Sequence, residues 1–357
     1  MLIYWILLAI PIMGTLVFSD EQRSKSGASL FLMFAFWVFY NGMSALRFNT
    51  GGDWYTYNIM VETVRYESLE FALQYGDQAF TFMMWLLTKL GLGIYGINAL
   101  CSMLLSAGVI AVARRTPNPW LGLAASVPYL LIVVGLGYIR QGAAIGLILL
   151  CINAFVDRRW FIGSLLIILA MFFHVAAIVA APIIGLALGR REPIAFAIII
   201  IASIAVFVYV LTGDRLDTFQ AGYIERAYSS GGAGIRLIQN LVPSLFFLFR
   251  AGKLGLEPRE RAIWTSFALA SLICWAAYFV SPSSTAVDRV GLFFSPIQVF
   301  AFGYFMRLFD GDFRSRLLLT AIADFYCVVV LYVWLNYATH SQFWVPYRSI
   351  FDRVQGL

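Results

Sequence analysis

The residues from Leu121 to Ile139 read LGLAASVPYLLIVVGLGYI, without a single acid or base. A helix crosses the hydrocarbon of a bilayer in about 20 apolar residues at about 1.5 Å each, and this run has that length. Comparable blocks recur at Ile194–Gly213 and at Leu317–Thr339, where only Asp324 interrupts. None alternates in polarity, as the strands of an outer-membrane barrel would. Backbone in hydrocarbon must satisfy its own hydrogen bonds, so helices are the default. The rest of the chain agrees: 61% of 357 residues are hydrophobic and 12% are charged, with mean hydropathy +0.81. Soluble domains are roughly a quarter charged. The expected fold is an all-α polytopic membrane protein, one transmembrane domain over residues 1–357 with no separate soluble domain.

Met1–Phe18 has no basic residue ahead of its apolar stretch and no small-residue cleavage site after it, so it reads as a retained helix rather than a secretory signal. The four cysteines (Cys101, Cys151, Cys274, Cys327) lie inside apolar blocks at unrelated spacings, which is core filling rather than a disulfide or metal framework.

Basic residues of short loops stay cytoplasmic. The clusters Arg23/Lys25, Arg114/Arg115, Arg158/Arg159, Arg190/Arg191, Arg250/Lys253/Arg259/Arg261 and Arg307/Arg314/Arg316 therefore share one side, with an even number of crossings between neighbours. This predicts spans at 1–18, 28–46, one ending near Ala113, then 119–136, 140–156, 160–173, 176–188, 194–211, 237–250, 262–280, 289–306 and 317–335. The total is 12, with both termini external.

Two external elements follow. Residues 47–92 open with a net acidic loop (Arg47 and Arg65 against Asp53, Glu62, Glu67, Glu70 and Asp77). The loop continues into a short apolar stretch, 80–90, expected to be an amphipathic or re-entrant helix at the outer interface. Residues 212–236 carry the Ser229–Gly234 run, flexible by composition, and serve either as a mobile cover or as an ordinary loop. The arms 160–173 and 176–188 are short for a core of about 30 Å. The reversal near His174 is thus expected below the outer surface, where broken helices are tolerated only against protein or a water-filled cavity.

The polar residues at the outer ends are the candidates for chemistry. Arg140, beside Gln141, starts a span; such an arginine either snorkels to headgroups or grips phosphate oxygens in two-point geometry. His174 is either a neutral packing residue or a base able to accept a proton from a sugar hydroxyl. Arg47 precedes Gly51-Gly52-Asp53-Trp54-Tyr55-Thr56-Tyr57. There the glycines allow a tight turn or close ligand approach, Asp53 can orient a base or accept from sugar hydroxyls, and Trp54, Tyr55 and Tyr57 offer faces for sugar rings or plain interfacial anchors. Arg289 is a second phosphate ligand or half of a local salt bridge with Asp288. Arg226, beside Tyr228, and Arg236 are weaker candidates of the same type. Asp324, the lone acid in an apolar span, needs a helix partner or a polar cavity. His340 has no partner evident from sequence.

There is no DxD-like loop for a nucleotide-sugar metal, no paired glutamates, no phosphate-binding loop and no His-x-x-x-His helix. A soluble nucleotide-dependent enzyme is excluded, and neither a metal, a cofactor nor a nucleic-acid partner is expected.

At Arg47 with Gly52-Asp53-Trp54-x-x-Tyr57, then Arg140-Gln141, then Phe173-His174, and in the Trp344-Val345-Pro346-Tyr347 tail, the chain resembles the EpsG family of bacterial membrane proteins, relatives of Wzy-type exopolysaccharide and O-antigen polymerases. Members often carry a Glu-Pro-Gly-Phe-like stretch where this chain has Asp77-Gln78-Ala79-Phe80. The resemblance implies a metal-independent glycosyltransferase of C-type fold in the bacterial inner membrane, with its active site facing the periplasm. Its donor would be a growing glycan on undecaprenyl diphosphate and its acceptor a lipid-linked repeat unit, with a flippase and a chain-length regulator as companions. On this reading His174 and Asp53 are catalytic, and Arg140, Arg289 and Arg47 hold the diphosphate. Trp54, Tyr55, Tyr57 and Gln141 hold sugar, and Arg226, Arg236 and Asp324 are secondary. The rivals are a lipid-linked oligosaccharide transporter, which should show an internal repeat and a polar path through both leaflets, and a membrane glycan acyltransferase.

Overall fold

A computed structural model describes residues 1–18, 24–189, 192–211, 231–308 and 313–354. The described chain is helical, and its one β-bridge joins Arg47 to Ser349. The helices are α1 (Leu2–Val17), α2 (Gly27–Leu46), α3 (Trp54–Arg65), α4 (Leu69–Gln74), α5 (Gln78–Lys89), α6 (Gly93–Ala113), α7 (Pro119–Gly137), α8 (Ile139–Val156), α9 (Trp160–Phe173), α10 (Val175–Leu188), α11 (Pro193–Leu211), α12 (Ala233–Arg250), α13 (Pro258–Val280), α14 (Ser284–Phe294), α15 (Pro296–Arg307), α16 (Phe313–Tyr337) and α17 (Ile350–Val354).

Local chemistry sets their starts. Ser26 Oγ accepts from Ser29 N ahead of α2, and Asn118 Oδ1 accepts from Leu121 N ahead of α7. Pro119 and Pro258 sit in the first turns of α7 and α13. These side chains and the missing proline N–H relieve the orphan donors of a helix start.

Among the described residues, six helices are long and apolar enough to cross a membrane: α2, α6, α7, α8, α13 and α16. A seventh arises if α14 and α15, bent by 44°, count as one broken span. Helices α1, α9, α10 and the Pro193–Val206 part of α11 are apolar but shorter. The helix boundaries follow the charge-pattern reading closely, but six or seven full-length spans stand where that reading expects 12 crossings. The 237–250 crossing is α12, which carries Arg236 and Arg250 and fails that test of length and apolarity.

Helix α7 is wholly buried and forms the centre. Its Val127–Val134 segment widens into a π-helix, starting beside Pro128, which has no N–H to give to the ladder. Helix α8 packs on α6 and α9. In hydrocarbon there is no hydrophobic drive between helices, so close backbone approach matters. Gly146 supplies it: a Cβ there would lie 2.2 Å from Leu104 O.

The basic punctuation gathers at one end of the bundle. Arg115, after α6, meets Asp157, after α8, at 2.7 Å and Glu260 of α13 at 3.4 Å. Arg259 meets Glu192 at 2.8 Å, and Arg158 meets Glu257 at 3.7 Å. Arg23, Arg190 and Arg191 lie outside the described residues. Helix α8 runs from this end to Arg140 over 18 residues, about 27 Å of rise. The opposite end holds the acidic segment, which folds as α3, α4 and α5 rather than as an open loop.

Candidate functional site

The turn before α3 is built on Gly51, whose φ of +107° is costly for any residue with a Cβ. A Cβ there would also meet Leu136 O at 2.1 Å. The turn is tied to the centre of the bundle by Asp53 N donating to Gly137 O (3.3 Å) and to the tail by Gly51 N donating to Phe343 O (2.7 Å). The tail is itself anchored: Trp344 is fully buried, its Nε1 donates to Ile132 O (3.0 Å), and its carbonyl accepts from Tyr4 Oη (2.6 Å). Tyr347 Oη donates to Met43 O and Phe48 N to Arg348 O. Asp53 therefore projects from a backbone clamped on both sides.

Arg140 comes from the first turn of α8, and His174 from the break between α9 and α10. At φ −157°, ψ 114° His174 is extended, which ends α9 and exposes the N–H of Val175 to a partner. That partner is Asp77, one residue ahead of α5. Its Oδ2 contacts Arg140 Nη1 at 2.9 Å and His174 Nδ1 at 3.4 Å, while Oδ1 accepts from Val175 N at 3.2 Å. Burial pushes the Asp77 carboxyl up, but the His174 hydrogen bond, the Arg140 charge and the Val175 N–H together hold it below the ordinary carboxylate value. Phe80 packs under the Arg140 guanidinium, 5.9 Å from its ring centre, a weak cation–π contact.

The Tyr57 hydroxyl lies between the two halves of the site, in the field of both the Asp53 carboxyl and Arg140. Burial raises Asp53 above the carboxylate range, opposed by Arg289, Arg140 and the Tyr57 hydroxyl. Arg289, on α14, is held in register by Gln141, whose Nε2 donates to Arg289 O at 2.7 Å. Asp53, Asp77, Arg140, His174 and Arg289 are thus drawn from five segments to one end of the bundle.

Other expected residues stand elsewhere. Arg47 has no exposed surface and spends its guanidinium on Thr50 O (3.1 Å), Ser44 O (2.7 Å) and Asn98 Oδ1 (2.7 Å); it pins the turn instead of facing a ligand. Trp54 is buried edge-on to Phe48, and Tyr57 packs on Phe80, so neither offers a free ring face. Tyr55 is 70% exposed, on the outer side of α3. Arg236 gives a two-point pair to Asp288 at 2.7 and 2.6 Å, a salt bridge that runs across the fold from α14 to α12. Asp324 accepts its predicted helix partner, Thr15 of α1, at 2.6 Å. His340 stacks on Phe343. Arg226, Tyr228 and residues 212–230 of the expected cover lie outside the described residues.

The residue that sequence reasoning missed is Asp77. Its signal was its place: an acid just before the apolar 80–90 stretch, where the resembling family carries Glu.

A family model described as EpsG family matches residues 30–349. Neither the curated proteins nor the solved structures compared with the chain gave a match. The matched region runs from α2 through the clamped tail and contains every member of the Asp53, Asp77, Arg140, His174 and Arg289 cluster. A match over most of the chain settles the family: this membrane protein belongs to the EpsG family, a Wzy-like polymerase family with a polymerase-like role in exopolysaccharide synthesis.

Proposed function

We propose that the chain joins lipid-linked oligosaccharide repeat units, transferring a growing glycan from undecaprenyl diphosphate to the terminal hydroxyl of an incoming unit at the outer face of the cytoplasmic membrane. The observation that carries the reading is the sharing of Asp77 Oδ2 between Arg140 and His174. With Nδ1 turned to Asp77, the neutral His174 imidazole carries its proton on Nδ1 and keeps the Nε2 lone pair for substrate, the usual logic of an oriented histidine base. At 3.4 Å the contact is long for a hydrogen bond, and such contacts tighten when substrate is bound.

In this mechanism the acceptor hydroxyl gives its proton to His174 Nε2 as its oxygen bonds to the anomeric carbon of the donor sugar. The bond from that carbon to the diphosphate oxygen breaks, and the electron pair leaves with the diphosphate. Arg140 and Arg289 offset the charge that develops there; fixed cations in a partly dry site are worth far more than in water. Arg47 positions Asp53 through the turn and does not touch substrate. Asp53 is the alternative base, since burial brings its carboxyl up from the ordinary range.

The short helices α9 and α10 carry the topology of the proposal. Fourteen residues of α9 rise about 21 Å, less than the roughly 30 Å hydrocarbon, so His174 lies below the outer surface. There a broken helix faces protein or water, as in a C-type glycosyltransferase with its site open to the periplasm. A flippase would deliver the acceptor and a separate regulator would set chain length.

The test is reconstitution in vesicles with purified lipid-linked repeat units. A ladder of longer products without nucleotide sugar is expected, lost in Arg140→Ala and His174→Ala proteins that still fold. Movement of substrate across the bilayer without new glycosidic bonds would mean a transporter instead.

A further inference from the structure

Between α12 and α16, with α15 as its floor, lies a cavity of about 790 Å³, within the range of small-ligand sites, about 300–1,000 Å³. Its walls are Ile238, Val242 and Phe246 on α12 and Tyr326, Val329 and Val333 on α16. From Gly232 to Phe246 the α12 wall rises about 21 Å. Phe246 and Phe305 stack at 5.3 Å at the far end and close it. Ile235 and Val242, 60% and 58% exposed, leave it open to the surrounding lipid along its side.

The near end is different in kind. Arg236 and Tyr129 line it, and Arg236 holds Asp288, the residue next to Arg289. Tyr138 lies in the field of Asp53, Arg236, Asp288 and Arg289 together. The mouth of the slot is thus joined to the Arg140–Arg289 cluster through Asp288 and the Arg289 backbone, to which Gln141, the neighbour of Arg140, donates.

We propose that this slot holds the head-proximal isoprenoid chain of a polyprenyl diphosphate, the inference resting on the polymerase reading above. A single narrow slot with a closed apolar end and Arg236 at its mouth fits one branched chain attached to a diphosphate. A phospholipid presents two chains and one phosphate. The aromatic and β-branched lining packs against methyl branches at intervals, and Arg236 exchanges part of its pairing with Asp288 for a phosphate oxygen when the lipid is in place.

The test is photolabelling of the wild-type protein in phosphatidylglycerol nanodiscs with a polyprenyl diphosphate bearing a diazirine on its third isoprene unit, followed by peptide mapping. Label is expected on α12 and α16, displaced by unlabelled polyprenyl diphosphate and reduced at least tenfold in Val242→Trp and Val329→Trp. Label spread over lipid-facing residues such as Phe31 and Phe161, or displaced equally by added phosphatidylglycerol, would overturn it. The vesicle assay separates the two readings. Labelling of the slot without a product ladder removes the polymerase and keeps the binding site. A ladder without labelling removes the slot and keeps the polymerase.

Discussion

Replacing Asp77 by Asn removes one charge and almost no volume, and its consequences differ for stability and for rate. The Asn oxygen still accepts from Val175 N, so that hydrogen bond survives. What is lost is the ion pair with Arg140 at 2.9 Å, whose side chains are 32% and 13% exposed. Breaking a fully buried pair costs about 3–5 kcal/mol; with a third of the arginine in contact with solvent, screening reduces this to about 1–2 kcal/mol. The folded carboxyl sits below its ordinary value, so its contribution to stability is present above the unfolded pKa and disappears as pH falls through the folded one. The melting difference between wild type and Asp77→Asn should therefore shrink on acidification below the ordinary carboxylate range. At neutral pH it should be full.

The rate effect runs through His174. Without the carboxylate, nothing fixes the imidazole with its Nε2 lone pair toward substrate, and general-base contributions are about 10²–10⁴-fold. We expect kcat for polymerisation to fall at least 100-fold, about 2.7 kcal/mol of barrier. KM for the lipid-linked donor should stay level or fall, because Arg140 is released from Asp77 and free to meet phosphate. Asp77→Glu, which restores the charge, should recover most of the rate. The assay is product-length analysis in vesicles across a range of lipid-linked substrate, paired with a melting curve of the purified protein. An Asp77→Asn enzyme with normal kcat, or one damaged only in KM, would refute the base assignment.

Arg140→Ala should fail on both counts, kcat falling with the lost charge stabilisation of the leaving diphosphate and KM for donor rising at least tenfold, with binding of a polyprenyl diphosphate analogue, measured by calorimetry, weakened to match. Gly51→Ala should lower stability by at least about 2 kcal/mol, combining a positive-φ strain of about 1–3 kcal/mol with the clash against Leu136 O at 2.1 Å; a melting temperature equal to wild type would contradict the clamped turn. Asp53 is raised by burial, so its ionisation opposes folding as pH climbs through the folded value. Asp53→Asn should melt higher than wild type at neutral pH and equal to it once the pH is below the ordinary carboxylate range. If Asp53 is the base, the same substitution also abolishes the ladder, whereas a surviving ladder leaves His174 in that role.

The helices were legible because the sequence punctuates them. Expected spans at 119–136, 140–156 and 160–173 end within one residue of Pro119–Gly137, Ile139–Val156 and Trp160–Phe173, since charges and prolines cannot continue into hydrocarbon without cost. The gathering of Arg115, Arg158 and Arg259 at one end follows from the same rule, although their acidic partners do not. Pairing is where reading along the chain stops. Asp77 looks like one more solvated acid of an acidic segment, yet its partners lie 63 and 97 residues downstream. Arg47 looks like a ligand because an unpaired arginine at a span end needs a reason. The reason is Asn98, 51 residues away on α6, and no periodicity announces it. Arg236 and Asp288, 52 apart, make the same point. In a chain this apolar an unpaired charge is expensive, so sequence identifies which charges must find a partner. Which partner each one finds is decided by how the helices pack, and the choice separates Arg47, spent on structure, from Arg140, whose partner Asp77 also holds the histidine.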